Sequence, residues 1–439
     1  MTSPAPPVAA PPPAERSLSL AMCIALVMGN MIGSGVFLLP AALAPYGWNA
    51  VAGWALTIAG AIALAYTLAR LTVARPDANG PAGFVDIAFG KVPSFLIGWS
   101  YWVSIWTANV TLAVAAVSYL SAFAPEIGRT PYVPALLAVA LVWAVTLVNL
   151  GGARSAGMFQ LATTLLKLVP LAVVLAIMAV LIATRGGEAL APFPAEGLKA
   201  GAVTASAALT LWALLGFESA SVVAAKVENP QRNIPRATLI GTLLTGIIYL
   251  VICSGVALML PAETVAGSDA PFQVFVAHYW AAGPALTIAL FAAISAIGTL
   301  NGWVLLQGEM PLAMARRGLL PAWFGKTRAN GTPTRALIVS SVLASLFVLV
   351  NSSRSMSDLF SYMALLSTSA TLWLYLACAA AALKLRVAVP VAALGAAYAV
   401  WTLYGAGLGV SGLSLLLMAA GLPLYWWARR SAAPQQPAE

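Results

Sequence analysis

The sequence predicts an all-α, polytopic membrane protein of about twelve transmembrane helices, and three observations carry that expectation. Of its 439 residues, 61% are hydrophobic and only 8% charged, where soluble domains carry about a quarter charged residues. Apolar stretches of roughly 20 residues, the length that crosses a hydrocarbon core, recur about twelve times. Two of these stretches are interrupted by small and polar residues where a lipid-facing helix would carry Leu or Val.

In chain order the apolar stretches lie near 18–39, 48–71, 94–124, 132–150, 158–183, 201–224, 237–260, 277–313, 335–351, 357–383, 388–407 and 409–428. Residues 1–15 are Pro/Ala-rich, with no basic region ahead of an apolar core, and read as a disordered cytoplasmic tail. The segment 431–439 reads similarly, leaving 16–430 as a single membrane domain. With both ends inside, the cytoplasmic segments hold seventeen of the 22 Lys and Arg residues, while outer loops hold only Arg129, Arg185, Lys199 and Arg354. This bias sets the orientation. The net charge of +9 therefore reports topology, and a nucleic-acid partner is not expected. Cys23, Cys253 and Cys378 fall in apolar spans and form no disulfide framework. With His278 the only histidine, no His-cluster metal site is possible, and no cofactor is expected.

The first interruption is MGNMIGSGVFLLP, residues 28–40. Gly29, Asn30, Gly33, Ser34 and Gly35 break the helix, and non-helical backbone at membrane depth is tolerated only against protein or a cavity. The sixth span repeats the anomaly: ALTLWALLGFESASVV, residues 208–223, places Gly216, Glu218, Ser219 and Ser221 inside a helix-length apolar stretch. Matching interruptions at the start of two five-span halves mark an inverted repeat with a binding site at its interface. The halves would run about 18–183 and 201–383, with helices eleven and twelve (about 388–428) appended. These features point to a carrier.

GNMIGSGVFLLP, LWALLGFESAS followed by ENPQRNIPRA, NGWVLL and RRGLLPAWFGKTRANGTP together resemble the amino acid–polyamine–organocation superfamily of transporters. The resemblance spans about 16–430 and is strongest to the basic amino acid/polyamine antiporter branch, which includes arginine/agmatine and putrescine/ornithine exchangers. It implies a LeuT-like 5+5 inverted repeat with helices 1 and 6 broken, commonly a homodimer in the bacterial inner membrane, working by alternating access.

The residues of the site follow from both sources. A half-helix beginning after Ser34 and Gly35 would aim free N–H groups at an α-carboxylate, with Asn30, Met31 and Ile32 supplying unwound backbone. Glu218 is an ionisable side chain within a membrane helix, which by default marks a pathway or a proton site; the resemblance assigns it gating and pH sensing. The same resemblance places Trp212 and Trp303 around the substrate, with Trp303 stacked on its cationic side chain. It places Tyr101 and Tyr375 in an inner gate with Glu218 and Trp303, and Asn109 and Ser367 at substrate polar atoms.

One departure matters. Lys167, in QLATTLLKLVPLA, stands where those exchangers carry an apolar residue. Proton-coupled permeases elsewhere in the superfamily have a lysine there, whose ammonium is thought to replace a sodium ion between helices one, five and eight. A coupling role for Lys167 is expected. Two readings of the substrate stay open: cationic amino acids and their amines, by exchange or with protons, or neutral amino acids by proton-coupled uptake. A membrane-embedded enzyme or sensor is the reading of another class, and no catalytic cluster or nucleotide loop supports it.

Overall fold

The computed structural model describes residues 19–33, 35–78, 80–151, 166–218, 227–329 and 331–431. Among them lie α1 (Leu20–Met31), α2 (Gly35–Leu43), α3 (Trp48–Ala74), α4 (Pro81–Phe89), α5 (Lys91–Leu120), α6 (Val133–Leu150), α7 (Leu168–Arg185) and α8 (Ala200–Ala213). There follow α9 (Pro230–Met259), α10 (Pro271–Tyr279), α11 (Ala282–Arg316), α12 (Thr334–Val350), α13 (Met356–Lys384), α14 (Val389–Gly405), α15 (Leu408–Ala419) and α16 (Leu422–Ser431). Eight of the described segments are long and apolar enough to cross a membrane; α1 and α2, bent by 47° at their break, make a further one, and α8, α12 and α14 are shorter apolar helices. The sequence's count of twelve rests on taking each of these shorter helices as a span.

Helix α5 is the central post. In its most apolar window 94% of the residues are buried inside the protein, against 22% for Leu408–Arg430 at the periphery. The sequence explains why: α5 carries Ser, Thr, Asn and Trp on every face, and such groups must find protein partners in hydrocarbon. It packs against α11 and α13, while α3 packs against α8 and α9 and α1 lies on α9.

A seam of polar side chains fastens α5 and α6 to α11 and α12. Asn109 Nδ2 donates to Gln307 Oε1 at 2.7 Å, and Gln307 Nε2 donates to Ser341 Oγ at 2.9 Å. Ser341 Oγ in turn pairs with Thr146 Oγ1 at 2.8 Å, and Asn149 Nδ2 donates to Asn301 Oδ1 at 3.0 Å. Such interhelical bonds supply specificity where lipid removes the hydrophobic drive between helices. The result is a stiff scaffold against which the broken helices sit.

Candidate functional site

The break between α1 and α2 leaves backbone groups that a continuous helix would have paired, and side chains from two other helices take them. Ile32 N–H still closes the last helical bond to Met28 O at 2.7 Å. Gly33 N–H, whose helical partner would be Gly29 O, donates instead to the Tyr249 hydroxyl at 3.3 Å. That hydroxyl donates onward to Met31 O at 2.8 Å. The Gly29 carbonyl thus released accepts from Lys167 Nζ at 2.6 Å. Tyr249, on α9, is fully buried, and Lys167 is 3% exposed at the start of α7. Each is a local solution to an unpaired backbone group away from water.

The second break faces the first. Helix α8 ends at Ala213, and residues 214–218 form turns. Gly216 adopts φ +109°, a conformation an L side chain rarely takes, and a Cβ there would stand 3.4 Å from Asn30 O. Gly35 is needed for proximity: a Cβ on it would come within 2.8 Å of the Trp212 ring.

Between the breaks lies a small cavity of about 20 Å³. The first break lines it with Asn30, Met31, Gly33 and Gly35, and the second with Trp212, Ala213 and Leu215. Ala108 and Leu112 of α5 and Thr299 and Trp303 of α11 complete it. This volume holds about one water molecule, so the structure is a closed state whose chamber must widen to admit a solute.

Aromatic contacts adjoin the chamber on one side, and an acidic cluster lies about two turns of α5 away on the other. On one side Trp212 meets Phe360 edge-on at 5.3 Å between ring centres, and Phe37 meets Phe272 at 5.1 Å. On the other, Glu218 accepts the Tyr101 hydroxyl at 2.7 Å and the Tyr375 hydroxyl at 3.0 Å, one to each carboxylate oxygen. Glu218 is 3% exposed, and hydrogen bonds to both oxygens are what a carboxyl group at this depth requires. Tyr101 precedes Ala108 by two turns of α5, about 10 Å at 1.5 Å per residue.

The structure therefore brings Asn30, Met31, Gly35, Trp212 and Trp303 to one chamber, and Tyr101, Glu218 and Tyr375 to a cluster at its end. Ile32 is buried beside the break without lining the chamber. Ser34 lies outside the described residues. Asn109 points into the scaffold at Gln307, and Ser367 Oγ donates to Ser104 O at 2.9 Å; neither lines the chamber. Lys167 reaches the first span: among the described residues it donates to Gly29 O and makes no hydrogen bond to α11. The sequence reading missed Tyr249 and Thr299. An aromatic or a threonine in an apolar helix has no signature that separates backbone pairing from packing.

Comparison with known proteins follows the same outline. The amino acid permease family model matches residues 18–432. The chain is 34% identical over 358 residues to the cadaverine/lysine antiporter of Escherichia coli K12, covering 79% of this chain and 78% of that one. It is 31% identical over 399 residues to the putrescine transporter PotE of Haemophilus influenzae, covering 87% and 90%. Among solved structures, MhsT in complex with L-phenylalanine superposes with a TM-score of 0.56 over 92% of this chain and 99% of that one, at 16% identity. That likeness is one of fold: both have the LeuT arrangement.

Proposed function

Because the chain belongs to the amino acid permease family of the amino acid–polyamine–organocation superfamily, we propose that it exchanges cationic amino acids and their amines across the membrane by alternating access. It is a multi-pass membrane protein, and its relatives are carriers, which speaks for transport over catalysis. The observation that carries the reading is the pair of opposed helix breaks around a tryptophan-walled chamber. The free N–H groups at the start of α2 suit an α-carboxylate, and the Trp303 face suits a cationic side chain, a contact worth about 2 kcal/mol when desolvated. The antiporter and the putrescine transporter among its relatives, by their names, handle substrates of this class.

The finer assignments belong to the same proposal. Asn30, Met31, Ser34 and Gly35 serve the carboxylate and ammonium, Glu218 with Tyr101 and Tyr375 forms the inner gate, and Lys167 couples the first span to the fifth. Two five-span repeats make one transport domain in an inner membrane, with both termini in the cytoplasm, and the family pattern adds a homodimer. Lys167 also speaks for the second reading, proton-coupled uptake of neutral amino acids, since a fixed cation near the chamber disfavours a dication.

Counterflow in proteoliposomes separates the two. Labelled L-lysine is exchanged against the twenty amino acids, agmatine, putrescine and cadaverine in turn. Exchange with cationic amino acids and amines supports the proposal. Trans-stimulation by neutral amino acids alone would replace it with the second reading.

A further inference from the structure

A second cavity is far larger than the chamber. A cavity of about 370 Å³ opens at the opposite end of α5 from the Glu218 cluster. Val114 and Val117 of α5 and Met356 and Leu359 of α13 line its inner part. Val117 lies about 24 Å along α5 from Tyr101 at 1.5 Å per residue. Lys91, Arg316, Lys384 and Arg429 cap the other ends of the long helices, so by the distribution of basic residues this cavity faces outward. Leu359, in its wall, precedes Phe360, whose ring rests on Trp212 of the chamber. The cavity is thus an antechamber, separated from the chamber by that aromatic contact.

Its charges are few and set apart. Asp269 lines it from the loop before α10, and Arg129 and Arg354 line it from loops on the other helices. Asp269 is half-buried, and no Lys, Arg or His nitrogen among the described residues comes within ion-pairing distance of 4.0 Å. Burial accordingly pushes its carboxyl above the usual carboxylate range, as expected for an acid without a cation beside it. The loop that bears it is fixed: Ser118 Oγ of α5 donates to Asp269 O at 2.5 Å. Three residues on, Phe272 N–H donates to the Tyr119 hydroxyl, which donates to Phe37 O of α2 at 2.7 Å. Arg354 is also held, with Nε on Asn351 Oδ1 at 3.2 Å and its guanidinium 4.3 Å from the Tyr362 ring centre.

An acid and two arginines that share a cavity without pairing with one another, Arg129 lying 4.0 Å from Glu126 of its own helical turn, leave room between them for a solute carrying both charges. We infer that this outer cavity is a staging site for free amino acids, with Asp269 receiving the α-ammonium and Arg129 and Arg354 the α-carboxylate. A diamine, lacking a carboxylate, engages only Asp269 and meets two like charges besides. The site therefore favours the amino acid over its decarboxylated amine on the outer face alone, and makes apparent affinity differ between the two faces while the substrate gradients set the net direction. This rests on the transport reading above but not on its choice of side chain, since the site reads only the groups common to all amino acids.

The test measures uptake of labelled L-lysine and labelled cadaverine by right-side-out and everted membrane vesicles. It compares wild type, Asp269→Asn and the Arg129→Gln/Arg354→Gln pair. Charged hydrogen bonds of this kind are worth about tenfold or more each. Asp269→Asn is expected to raise half-saturating outer lysine about tenfold with maximal rate retained. The arginine pair is expected to raise it for lysine and lower it for cadaverine. Everted vesicles should show no change in either variant. Equal shifts on both faces, equal shifts for lysine and cadaverine in the arginine pair, or no shift at all would overturn the staging site. Wild-type vesicles that take up neither probe would instead defeat the cationic-substrate reading; the same comparison is then run with labelled L-leucine, for which the staging site predicts the same outer-face shift.

Discussion

Tyr249→Phe isolates the bond that holds the first helix break together. The substitution removes one oxygen and keeps the ring, which is fully buried and packs edge-on against Trp54 at 5.8 Å. Two backbone groups lose their partner: Met31 O, at 2.8 Å, and Gly33 N–H, at 3.3 Å. An unsatisfied buried group costs about 1–3 kcal/mol, and the longer bond belongs at the low end of that range. The sum is about 2–3 kcal/mol against the ordered break that substrate must find in place, or roughly 30- to 150-fold in its population at 1.4 kcal/mol per decade. Relaxation of the unwound segment will recover part of this. Half-saturating substrate should rise by about tenfold or more, and the thermal unfolding midpoint in detergent should fall. Ligand binding by calorimetry and a melting curve on the purified variant measure both. A variant that binds within twofold of wild type and melts at the same temperature would refute the claim that the hydroxyl positions the break.

Three further substitutions probe the remaining contacts. Glu218→Gln keeps the shape of the side chain but turns one acceptor for Tyr101 or Tyr375 into a donor; it should leave the protein folded and slow exchange, and exchange at the wild-type rate would remove Glu218 from the gate. Lys167→Ala deletes the 2.6 Å bond to Gly29 O, worth about 1.5–3 kcal/mol for a charged donor, and should cut flux while leaving substrate affinity near wild type; unchanged flux measured beside binding would refute it. Trp303→Ala should lower transport of L-lysine by about tenfold or more, with Trp303→Phe retaining part of it; normal lysine transport by the alanine variant would dismiss the stacking role.

How much of this was legible in the sequence depended on whether a residue was anomalous in an apolar setting. Gly29, Gly33, Gly35, Gly216 and Glu218 were visible because lipid gives no reason for glycine clusters or an acid in a spanning helix, and the structure sets Gly33 and Gly35 in the chamber wall, Gly216 beside Asn30 and Glu218 between two tyrosines. Lys167 stood out for the same reason, but its partner is a backbone carbonyl and carries no signature. Asn109 shows where the reading failed to discriminate. On a helix buried on nearly every face, a polar side chain has protein on all sides, and a step of one residue turns it by 100°. Ala108 and Leu112 face the chamber, while Asn109 faces Gln307. Ser367, bonded to Ser104 O on α5, is the same case on α13. Tyr249 was illegible because GIIYLVICSG is an ordinary apolar run.

The two groups that serve the break do different work. Tyr249 bonds on both sides of the kink, to Met31 O of α1 and to Gly33 N–H beyond it. It can stay in place while the angle between α1 and α2 changes. Lys167 donates to Gly29 O, on the α1 side, and Cys253 Sγ on α9 lies 3.7 Å from Val36 O on the α2 side. Both arms rest on α9, and a swing of α1 would stretch the Lys167 bond together with that packing. On this geometry Tyr249 is the pivot and Lys167 the latch. A chamber of about one water must widen to admit a solute, and a movement of α1 would break this charged hydrogen bond along with the packing of α1 on α9.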